Sequence, residues 1–349
     1  MTPPLADRVR ELLEWFLVNR RNLPWRYTRD PYRVWVSEVM LQQTRVETVL
    51  AFYGRFIEAY PTVDALAAAP RHEVLASWAG LGYYRRASML HAAARQVVEV
   101  HAGRFPSEYD SIKRLPGIGE YTAAAVSSIA FDEPRAAMDG NAYRVLARLA
   151  DDRRDIRGAA PRKALRNLAQ RLMDATRPGE RGDFSEALME LGATLCVPRV
   201  PRCDACPWVS SCAGHAAGTA PSLPVKAPRR PPRRTEIAVV VIQYDGRALM
   251  RQRPPDASIM PGFWELPNAE GLAILLRELG MPADARLYAA GTFSHAITDT
   301  LYTCHVYEAT SSGDLPDGYR WVALAQAREI PITTISAKAL AALSLAEPG

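Results

Sequence analysis

The sequence predicts a multidomain protein in which an all-α domain is followed by an α+β domain. Three observations support this order. Apolar residues recur at helical spacing through the first 213 residues, a segment rich in proline and arginine follows, and β-branched runs begin after it. A chain of 349 residues is long enough to give each domain its own hydrophobic core.

Short helices separated by tight turns are predicted for residues 1–213. The first helix presents one apolar face between Leu5 and Leu17, and prolines or glycines interrupt the pattern from there onward. Between Pro221 and Thr235 there are five prolines and five basic residues. Because prolines favour extended backbone, we interpret residues 214–234 as a semi-rigid linker.

The second domain, residues 235–349, has the pattern of strands combined with short helices. A β-branched run at 237–242 and the turn pair at 245–246 predict a hairpin. Further strands are predicted at 286–292 and 300–309. This alternation is typical of an α+β domain of ordinary size.

The charge balance permits a polyanionic partner without requiring one. The net charge is +5 and the isoelectric point is ≈ 9.0, a surplus that is compatible with nucleic acid but also common among soluble proteins. No stretch approaches the ~20 apolar residues of a membrane span. The first residues, MTPPLADRVRELLEWF, carry charges where a secretion signal is apolar. We therefore expect a cytoplasmic protein that has no membrane partner.

Four of the five cysteines lie together, at Cys196, Cys203, Cys206 and Cys212, with the spacing C-x6-C-x2-C-x5-C. Thiolates are ligands of zinc and of iron–sulfur clusters. Zinc sites commonly combine two short C-x2-C pairs, whereas one short pair is present here. The spacing therefore favours a [4Fe–4S] cluster. The fifth cysteine, Cys304, lies in a predicted strand and is expected to be a buried thiol.

A second motif, LPGIGEYTAAAV, is a helix–hairpin–helix signature that we place at about 108–130. Gly117 and Gly119 permit a tight turn and a close approach of the backbone to a phosphate, and the amides that open the following helix favour an anion. Asp139-Gly140-Asn141 then opens another helix, with Asp139 as its predicted N-cap.

The hairpin, the aspartate and the cysteine loop occur in the order typical of the endonuclease III superfamily of DNA glycosylases, which residues 1–213 resemble. Within that superfamily the chain resembles the adenine DNA glycosylases of the MutY type. The resemblance is carried by Pro24–Arg26, Trp35–Val46 and Phe184–Gly192, and by Tyr121, which stands where lyases of the superfamily have a Schiff-base lysine.

This resemblance implies a monofunctional enzyme of base excision repair. It would hydrolyse the N-glycosidic bond of adenine mispaired with 8-oxoguanine or guanine in double-stranded DNA, leave an abasic site, and act as a nucleoid-associated monomer. Such cleavage needs two carboxyl groups in opposite protonation states. Glu38, which has apolar neighbours, suits the acid that protonates adenine, and an ionised Asp139 suits stabilisation of the sugar cation or attack on it.

Further site residues follow from the same motifs. Tyr121 is expected to donate a hydrogen bond toward Asp139 or the sugar, and Asn141 to orient Asp139 or the attacking water. The resemblance implies that Arg26 and Glu186 line the adenine pocket, and that Gln43, Leu81 and Tyr83 intercalate where the base leaves the duplex. Arg199 and Arg202 lie within the iron–sulfur loop, residues 196–212, and are expected to meet phosphates.

The C-terminal domain resembles the MutT/Nudix-like domain that recognises 8-oxoguanine, through Gly262–Pro267 and Phe293-Ser294-His295. The resemblance implies that Ser294 and His295 contact the lesion, although the three residues alone are typical of an ordinary strand-end loop. Nudix hydrolases hold magnesium with several glutamates, and the helix GLAILLRELG has Glu278 as its only acid. We therefore expect lesion recognition and not pyrophosphate hydrolysis.

Other interpretations stay open from sequence alone. Glu38 could be a surface residue of an amphipathic helix, Asp139 a purely structural N-cap, and Arg26 with Glu186 a surface ion pair. The competing functions are a thymine or uracil mismatch glycosylase of the same superfamily and a non-catalytic iron–sulfur protein that binds lesions. Tyr121 disfavours a bifunctional lyase, because a phenol cannot form an imine with the sugar.

Overall fold

The computed structural model describes residues 4–228, 231–254, 256–282, 285–310, 316–324 and 330–344. The chain divides into two compact units, and the first ends at Pro228. The predicted linker is therefore not a free connection along its whole length. Leu223 is buried, and the backbone of Val225 accepts a hydrogen bond from Ile156 of the first unit. The linker residues 229 and 230 lie outside the described residues.

The first unit is helical, as predicted. Its helices are α1 (Leu5–Asn19), α2 (Pro31–Leu41), α3 (Val46–Ala59), α4 (Val63–Ala68), α5 (Arg71–Ser77), α6 (Arg85–His101), α7 (Tyr109–Lys113), α8 (Glu120–Phe131), α9 (Gly140–Leu149), α10 (Ala159–Asp174), α11 (Arg181–Thr194) and α12 (Ala213–Ala216). Single 3-10 turns lie at Pro24–Tyr27, Cys203–Ala205, Val209–Ser211 and Ala220–Ser222. Short helices with polar turns let the chain reverse direction many times around its apolar faces.

Two hydrophobic cores position the functional side chains of this unit. One core lies among α2, α3, α6 and α8, and the other among α1, α9, α10 and α11. Small residues let the helices of these cores approach one another closely. The run of alanines in α8 is buried, and a Cβ on Gly192 of α11 would lie 2.6 Å from Cβ of Asn141. The middle of α2, the start of α8 and the start of α9 are thus held near one another.

The second unit contains one sheet with helices on its faces, which is the α+β architecture predicted. Its described elements are β1 (Arg233–Tyr244), β2 (Arg247–Gln252), β3 (Trp264–Glu265), β4 (Asn268–Ala269), α13 (Leu272–Glu278), β5 (Tyr288–Ile297), β6 (Thr300–Thr310), β7 (Tyr319–Ala323) and α14 (Thr334–Ser344). The strand order is β3-β2-β1-β6-β5, with β4 paired to β1 and β7 paired to β2. The β1–β6 pair is parallel, and the other strand pairs are antiparallel.

Strand β1 explains the β-branched run that predicted it. Residues 237–242 are all buried, because alternate side chains enter the core beneath α14 and the core beneath α13. Asp245 and Gly246 both have positive φ, 47° and 68°, which forms the tight turn of the β1–β2 hairpin. Cys304 of β6 is fully buried, as expected. Among the described residues, no helix combines the length and apolarity needed to cross a membrane.

Candidate active site and cysteine-lined cavity

Glu38 of α2 and Tyr121 of α8 meet inside the first unit. Glu38 is 5% exposed, and the Tyr121 hydroxyl donates a hydrogen bond of 2.6 Å to its Oε2. Burial raises the pKa of Glu38 to about 7; the Tyr121 hydrogen bond and the Arg26 charge oppose this rise, and the Asp139 charge adds to it. The carboxyl group can therefore hold a proton near neutral pH, and the interpretation of Glu38 as a surface residue is wrong.

The Tyr121 hydroxyl is a permanent donor at this position. Burial, followed by the charges of Glu38 and Asp139, raises the pKa of Tyr121 well above its ordinary value, so the phenol keeps its proton. The Sδ atom of Met189 on α11 is 3.1 Å from the same hydroxyl oxygen. Because the group has a single hydrogen, the shorter bond to the carboxyl oxygen is the stronger one.

Asp139 is the N-cap of α9, as its sequence context predicts. Its Oδ1 accepts a hydrogen bond of 2.6 Å from the backbone N–H of Ala142. Burial raises the pKa of Asp139, while hydrogen bonds from Ala142 and Asn141 and the charge of Arg144 oppose that rise. The N-cap hydrogen bond and the Arg144 charge favour the anion without outweighing burial. A structural N-cap and a catalytic carboxyl group are compatible in this residue.

Arg144 is a residue of this site that the sequence motifs do not reveal. Its Nη2 donates to Oδ1 of Asn141 at 2.7 Å and to the Gly192 carbonyl at 2.8 Å. Its Nε donates to the Cys196 carbonyl at 2.8 Å. Spacing i,i+3 places Arg144 beside Asn141 on one helix, but its partners on α11 and in the cysteine loop come from the tertiary fold alone.

Arg26 and Glu186 do not form the surface ion pair left open by the sequence. Arg26 binds Oε2 of Glu190 at 2.7 Å, a carboxylate that Arg21 also holds at 2.7 Å. Burial raises the pKa of Glu190, but the hydrogen bonds from both arginines outweigh it and lower the pKa to about 2. Arg26 is thus committed to a partner, Glu190, that the resemblance did not single out.

Glu186 has unused hydrogen-bonding capacity inside the same region. It is 5% exposed, and its Oε2 has no hydrogen-bond partner among the described residues. The nearest cation, Arg29, is 3.9 Å away. Burial raises the pKa of Glu186 to about 7, and the charges of Arg29 and Arg26 oppose this. A buried carboxyl group with a free oxygen is suited to accept a hydrogen bond from a ligand.

The three predicted intercalating residues differ in exposure. Tyr83 is 58% exposed and Gln43 is also exposed, and both have left-handed backbones, with φ of 52° and 55°. Leu81 is 5% exposed and belongs to the core that includes Trp78. In this conformation the apolar side chain of Leu81 is packed in the core, and its insertion into DNA stays a prediction.

Gly117 and Gly119 fulfil different requirements in the helix–hairpin–helix turn. Gly117 has a φ of 75°, and an added Cβ would lie 2.5 Å from Cβ of Met89. Gly119 is the N-cap of α8 with a φ of −94°, and open space surrounds its Cβ position. Gly117 is thus needed for the turn itself, while Gly119 leaves the helix amides accessible to an anion.

The four clustered cysteines line one cavity. Cys196, Cys203, Cys206 and Cys212 are all free thiols, and the cavity also includes the side chain of Arg148. Arg148 is 2% exposed. Its Nη1 is 3.3 Å from Sγ of Cys196 and donates to two carbonyls of the loop. Within the described residues, no group of three or more His, Cys, Asp or Glu side chains is placed to hold a single metal ion.

The donor set of this cavity, four thiols from one loop, fits a cubic [4Fe–4S] cluster, which binds one thiolate at each iron atom. Arg199 and Arg202 of the same loop are exposed, with Arg199 in a left-handed conformation at φ 64°.

Phe293, Ser294 and His295 lie within β5, at the edge of the sheet, and not in a strand-end loop as their pattern suggests. Phe293 packs toward the core beneath α14, and Ser294 is exposed. The Lys338 ammonium group of α14 lies 5.5 Å from the Phe293 ring centre and donates to the Ser294 carbonyl at 3.4 Å. Burial and the Lys338 charge lower the pKa of His295, so a neutral imidazole with one donor and one acceptor is available.

Family comparisons match both units. Residues 36–172 match the HhH-GPD superfamily of base excision DNA repair proteins, and residues 237–342 match the NUDIX domain. Among solved structures, a thermostable thymine-DNA glycosylase is 31% identical with a TM-score of 0.54, covering 61% of this chain and 97% of its own. An endonuclease III in a trapped covalent DNA complex has a TM-score of 0.51 at 22% identity, covering 62% of this chain and 99% of its own, which shows the fold.

Similarity to adenine DNA glycosylases extends through both units. The adenine DNA glycosylase of Rattus norvegicus is 34% identical over 94% of this chain and 76% of its own length, and that of Homo sapiens is 34% identical over 97% and 74%. The Mycobacterium tuberculosis enzyme is 40% identical over 60% of this chain and 68% of its own. The thymine-DNA glycosylase covers 61% of this chain, whereas the adenine DNA glycosylases of rat and human cover 94% and 97%, so the alternative of a thymine or uracil mismatch enzyme is not favoured. With its helical glycosylase fold, its Nudix-like domain and relatives that span both, the chain belongs to the adenine DNA glycosylases, base excision repair enzymes that cleave N-glycosidic bonds.

Proposed function

We propose that this enzyme removes adenine mispaired with 8-oxoguanine, or more slowly with guanine, as a monofunctional glycosylase. The observation that carries the proposal is a buried pair of carboxyl groups, of which Glu38 must be protonated and Asp139 ionised for the reaction. Glu38 holds a proton near neutral pH because it is desolvated. Burial also raises the pKa of Asp139, but the backbone N–H groups at the start of α9 and the Arg144 charge oppose that rise and favour its ionised form.

The chemistry follows from these two environments. Adenine is a poor leaving group as an anion, so protonation of its ring by Glu38 lowers the barrier to bond cleavage. The sugar then carries positive charge, and the Asp139 carboxylate stabilises it or bonds to it before water completes hydrolysis. Tyr121 holds the Glu38 carboxyl group at 2.6 Å and cannot form an imine, so the product is an abasic site. Asn141 orients Asp139.

Glu186 is the residue best suited to bind the adenine base in the pocket that receives it. Adenine inside a duplex cannot reach Glu38, so the nucleotide must rotate out of the stack. Oε2 of Glu186 accepts no hydrogen bond from the described residues, so it suits the exocyclic amino group of adenine, which donates hydrogen bonds. Arg26 supports the pocket by fixing Glu190. Gln43 and Tyr83, both exposed, would fill the gap left in the duplex.

Release of free adenine tests the proposal directly. A duplex with one 8-oxoguanine:adenine pair should lose adenine, and its strand should break only after alkali treatment. Glu38→Gln should abolish release, whereas the matched change Glu58→Gln, at an exposed glutamate of α3, should not. Intact adenine after incubation with wild type, or equal activity of both variants, would contradict the proposal. Strand cleavage without alkali would indicate a lyase.

We propose further that Cys196, Cys203, Cys206 and Cys212 hold a [4Fe–4S] cluster. When bound, the cluster cross-links the loop, and hydrolysis of adenine needs no electron from it. The fixed loop would present Arg199 and Arg202 to DNA phosphates. Protein with about four irons and four sulfides per chain is expected. Cys203→Ser should lose that content, and Cys304→Ser, at the buried thiol of the other unit, should retain it.

Recognition of the opposite base is proposed for β5. The exposed Ser294 hydroxyl can pair with the N7–H and O8 edge of 8-oxoguanine. His295 follows it in the strand and lies on the opposite face, which it shares with Phe293, so Ser294 is the residue tested. Ser294→Ala should reduce the preference for 8-oxoguanine:adenine over guanine:adenine, measured as the ratio of release rates. The nearby change Thr292→Ala should leave this ratio unchanged. Double-stranded DNA is the partner, and the chain is expected to act on it in the nucleoid as a monomer.

A further inference from the structure

Arg86 connects the segments that carry Gln43 and Tyr83. It lies in the first turn of α6 and is half-buried. One guanidinium nitrogen, Nη1, donates to three carbonyls at the end of α2, and the other, Nη2, donates to the loop after α2 and to the glycine-rich turn before α6. The partners are the carbonyls of Val39 (2.8 Å), Met40 (2.7 Å), Gln42 (2.5 Å), Gly82 (3.1 Å) and Leu81 (3.4 Å), and Oγ1 of Thr44 (3.0 Å).

The carbonyls at the end of α2 need such a partner. The last four carbonyls of a helix have no acceptor role within the helix itself, and a positive charge at this end is favourable. The planar guanidinium group reaches the carbonyls at the end of α2 with one nitrogen, and the loop after α2 and the turn before α6 with the other. A lysine ammonium group, which is a single point charge, cannot span these segments. Glu38 lies on the same helix, so Arg86 fixes the end of the element that carries the proposed acid.

Gln43 and Tyr83, the exposed residues next to the groups that Arg86 binds, have unusual backbone conformations. Gln43 has a φ of 55° and Tyr83 a φ of 52°, a left-handed conformation that side chains with a Cβ keep only where the surroundings enforce it. The Arg86 guanidinium carbon lies 5.3 Å from the Tyr83 ring centre and 5.5 Å from that of Trp78. Nε1 of Trp78 donates to the Gly82 carbonyl at 3.1 Å, which closes the same turn.

We propose that Arg86 is a positioning residue that locks Gln43 and Tyr83 into one DNA-inserting unit and fixes that unit relative to the helix of Glu38. The inference rests on the proposed function, since it assumes that both residues enter the duplex. Its consequence is that rotation of adenine out of the stack and alignment with Glu38 depend on one side chain. Without the guanidinium group, DNA should still bind, but the base should leave the stack less readily.

The test compares Arg86→Lys with Arg85→Lys in the full chain. Both changes keep the charge at the start of α6, and Arg85 is exposed. Two readouts are needed: single-turnover release of adenine opposite 8-oxoguanine, and fluorescence of 2-aminopurine placed next to the mispair, which reports unstacking. Arg86→Lys should slow release at least tenfold and reduce the fluorescence rise, with DNA affinity within about threefold of wild type. Arg85→Lys should match wild type in both.

The fluorescence readout separates this inference from the proposed function. If wild type unstacks the base without releasing adenine, the proposed function fails, and the comparison of the two variants still decides the role of Arg86. Equal fluorescence for Arg86→Lys and Arg85→Lys would overturn the inference. If Arg86→Lys does not fold, Thr44→Val, which removes one acceptor of the guanidinium group, should slow the fluorescence rise about threefold. An unchanged rise in Thr44→Val would equally overturn it.

Discussion

Removing the Tyr121 hydroxyl should extend the activity of the enzyme to higher pH. The hydroxyl donates to the Glu38 carboxyl group at 2.6 Å and favours its ionised form. A hydrogen bond to a charged group contributes about 1.5–3 kcal/mol, and one pKa unit corresponds to about 1.4 kcal/mol. Tyr121→Phe should therefore raise the pKa of Glu38 from about 7 by about one to two units.

The direction of the pH effect follows from the protonation state that catalysis needs. Glu38 must be protonated to donate, so activity falls as pH rises through its pKa, and a higher pKa moves this alkaline limb upward. The Tyr121 phenol does not interfere, because its own pKa is raised well above the ordinary value. The maximal rate should fall, since the carboxyl group loses its anchor, but the position of the limb is the diagnostic quantity.

Single-turnover release of adenine across the pH range measures this limb. Tyr32→Phe provides the matched control, because Tyr32 is a buried tyrosine on the same helix and its hydroxyl donates to the Tyr60 backbone carbonyl instead of a carboxyl group. The control should keep the limb of wild type. A Tyr121→Phe limb that stays in place or moves to lower pH would refute both the role of the hydrogen bond and the assignment of Glu38 as the acid.

Three further predictions concern stability and the DNA-facing turns. Glu190→Gln should lower the free energy of unfolding by about 3–5 kcal/mol, measured by chemical denaturation, because two arginines lose a buried carboxylate. Since folding lowers the pKa of Glu190 from 4.5 to about 2, its contribution is present at neutral pH and should disappear as pH falls through that interval. Leu81→Ala should lower the free energy of unfolding by about 2–5 kcal/mol. Tyr83→Ala should keep Tm within a few degrees of wild type but slow adenine release. The opposite pattern would contradict the placement of Leu81 in the core and of Tyr83 on the surface. Gly117→Ala should lower the free energy of unfolding by about 1–3 kcal/mol, because the φ of 75° is unfavourable for alanine and Met89 leaves no space for a Cβ. Gly119→Ala should stay within about 0.5 kcal/mol of wild type in thermal unfolding. Equal losses of stability in the two variants would show that the turn adapts to a Cβ.

The fold followed from sequence where local chemistry determines structure. Helical periodicity, the N-cap at Asp139 and the turn at Asp245-Gly246 all depend on residues close in the chain, so their patterns predict them. The extent of the linker depends on contacts between separate segments. Residues up to 227 pack on the helical unit through Leu223 and Val225, and no local pattern distinguishes a proline-rich segment that packs from one that does not.

The candidate site shows the same division. Motifs identified Glu38, Asp139 and Tyr121 as residue types suited to the chemistry, but not which of them touch. Leu81 and Tyr83 are two positions apart in one glycine-rich turn, and their local sequence does not distinguish them, although Leu81 is buried in the core and Tyr83 is exposed. Exposure at this scale depends on which side of the turn faces neighbouring helices.

By itself, the sequence determined the two-unit organisation, the chemical types at the candidate site and the set of four clustered thiols. These depend on spacing within one segment. Tertiary structure alone decided that Arg26 pairs with Glu190 and leaves Glu186 with a free oxygen, that Arg144 joins Asn141 to the cysteine loop, and that Arg86 holds two turns together. Each of these contacts joins residues from separate segments, and burial sets its strength. The partner of each side chain and the extent of its desolvation depend on tertiary packing, so they cannot be predicted from the spacing of residues within one segment.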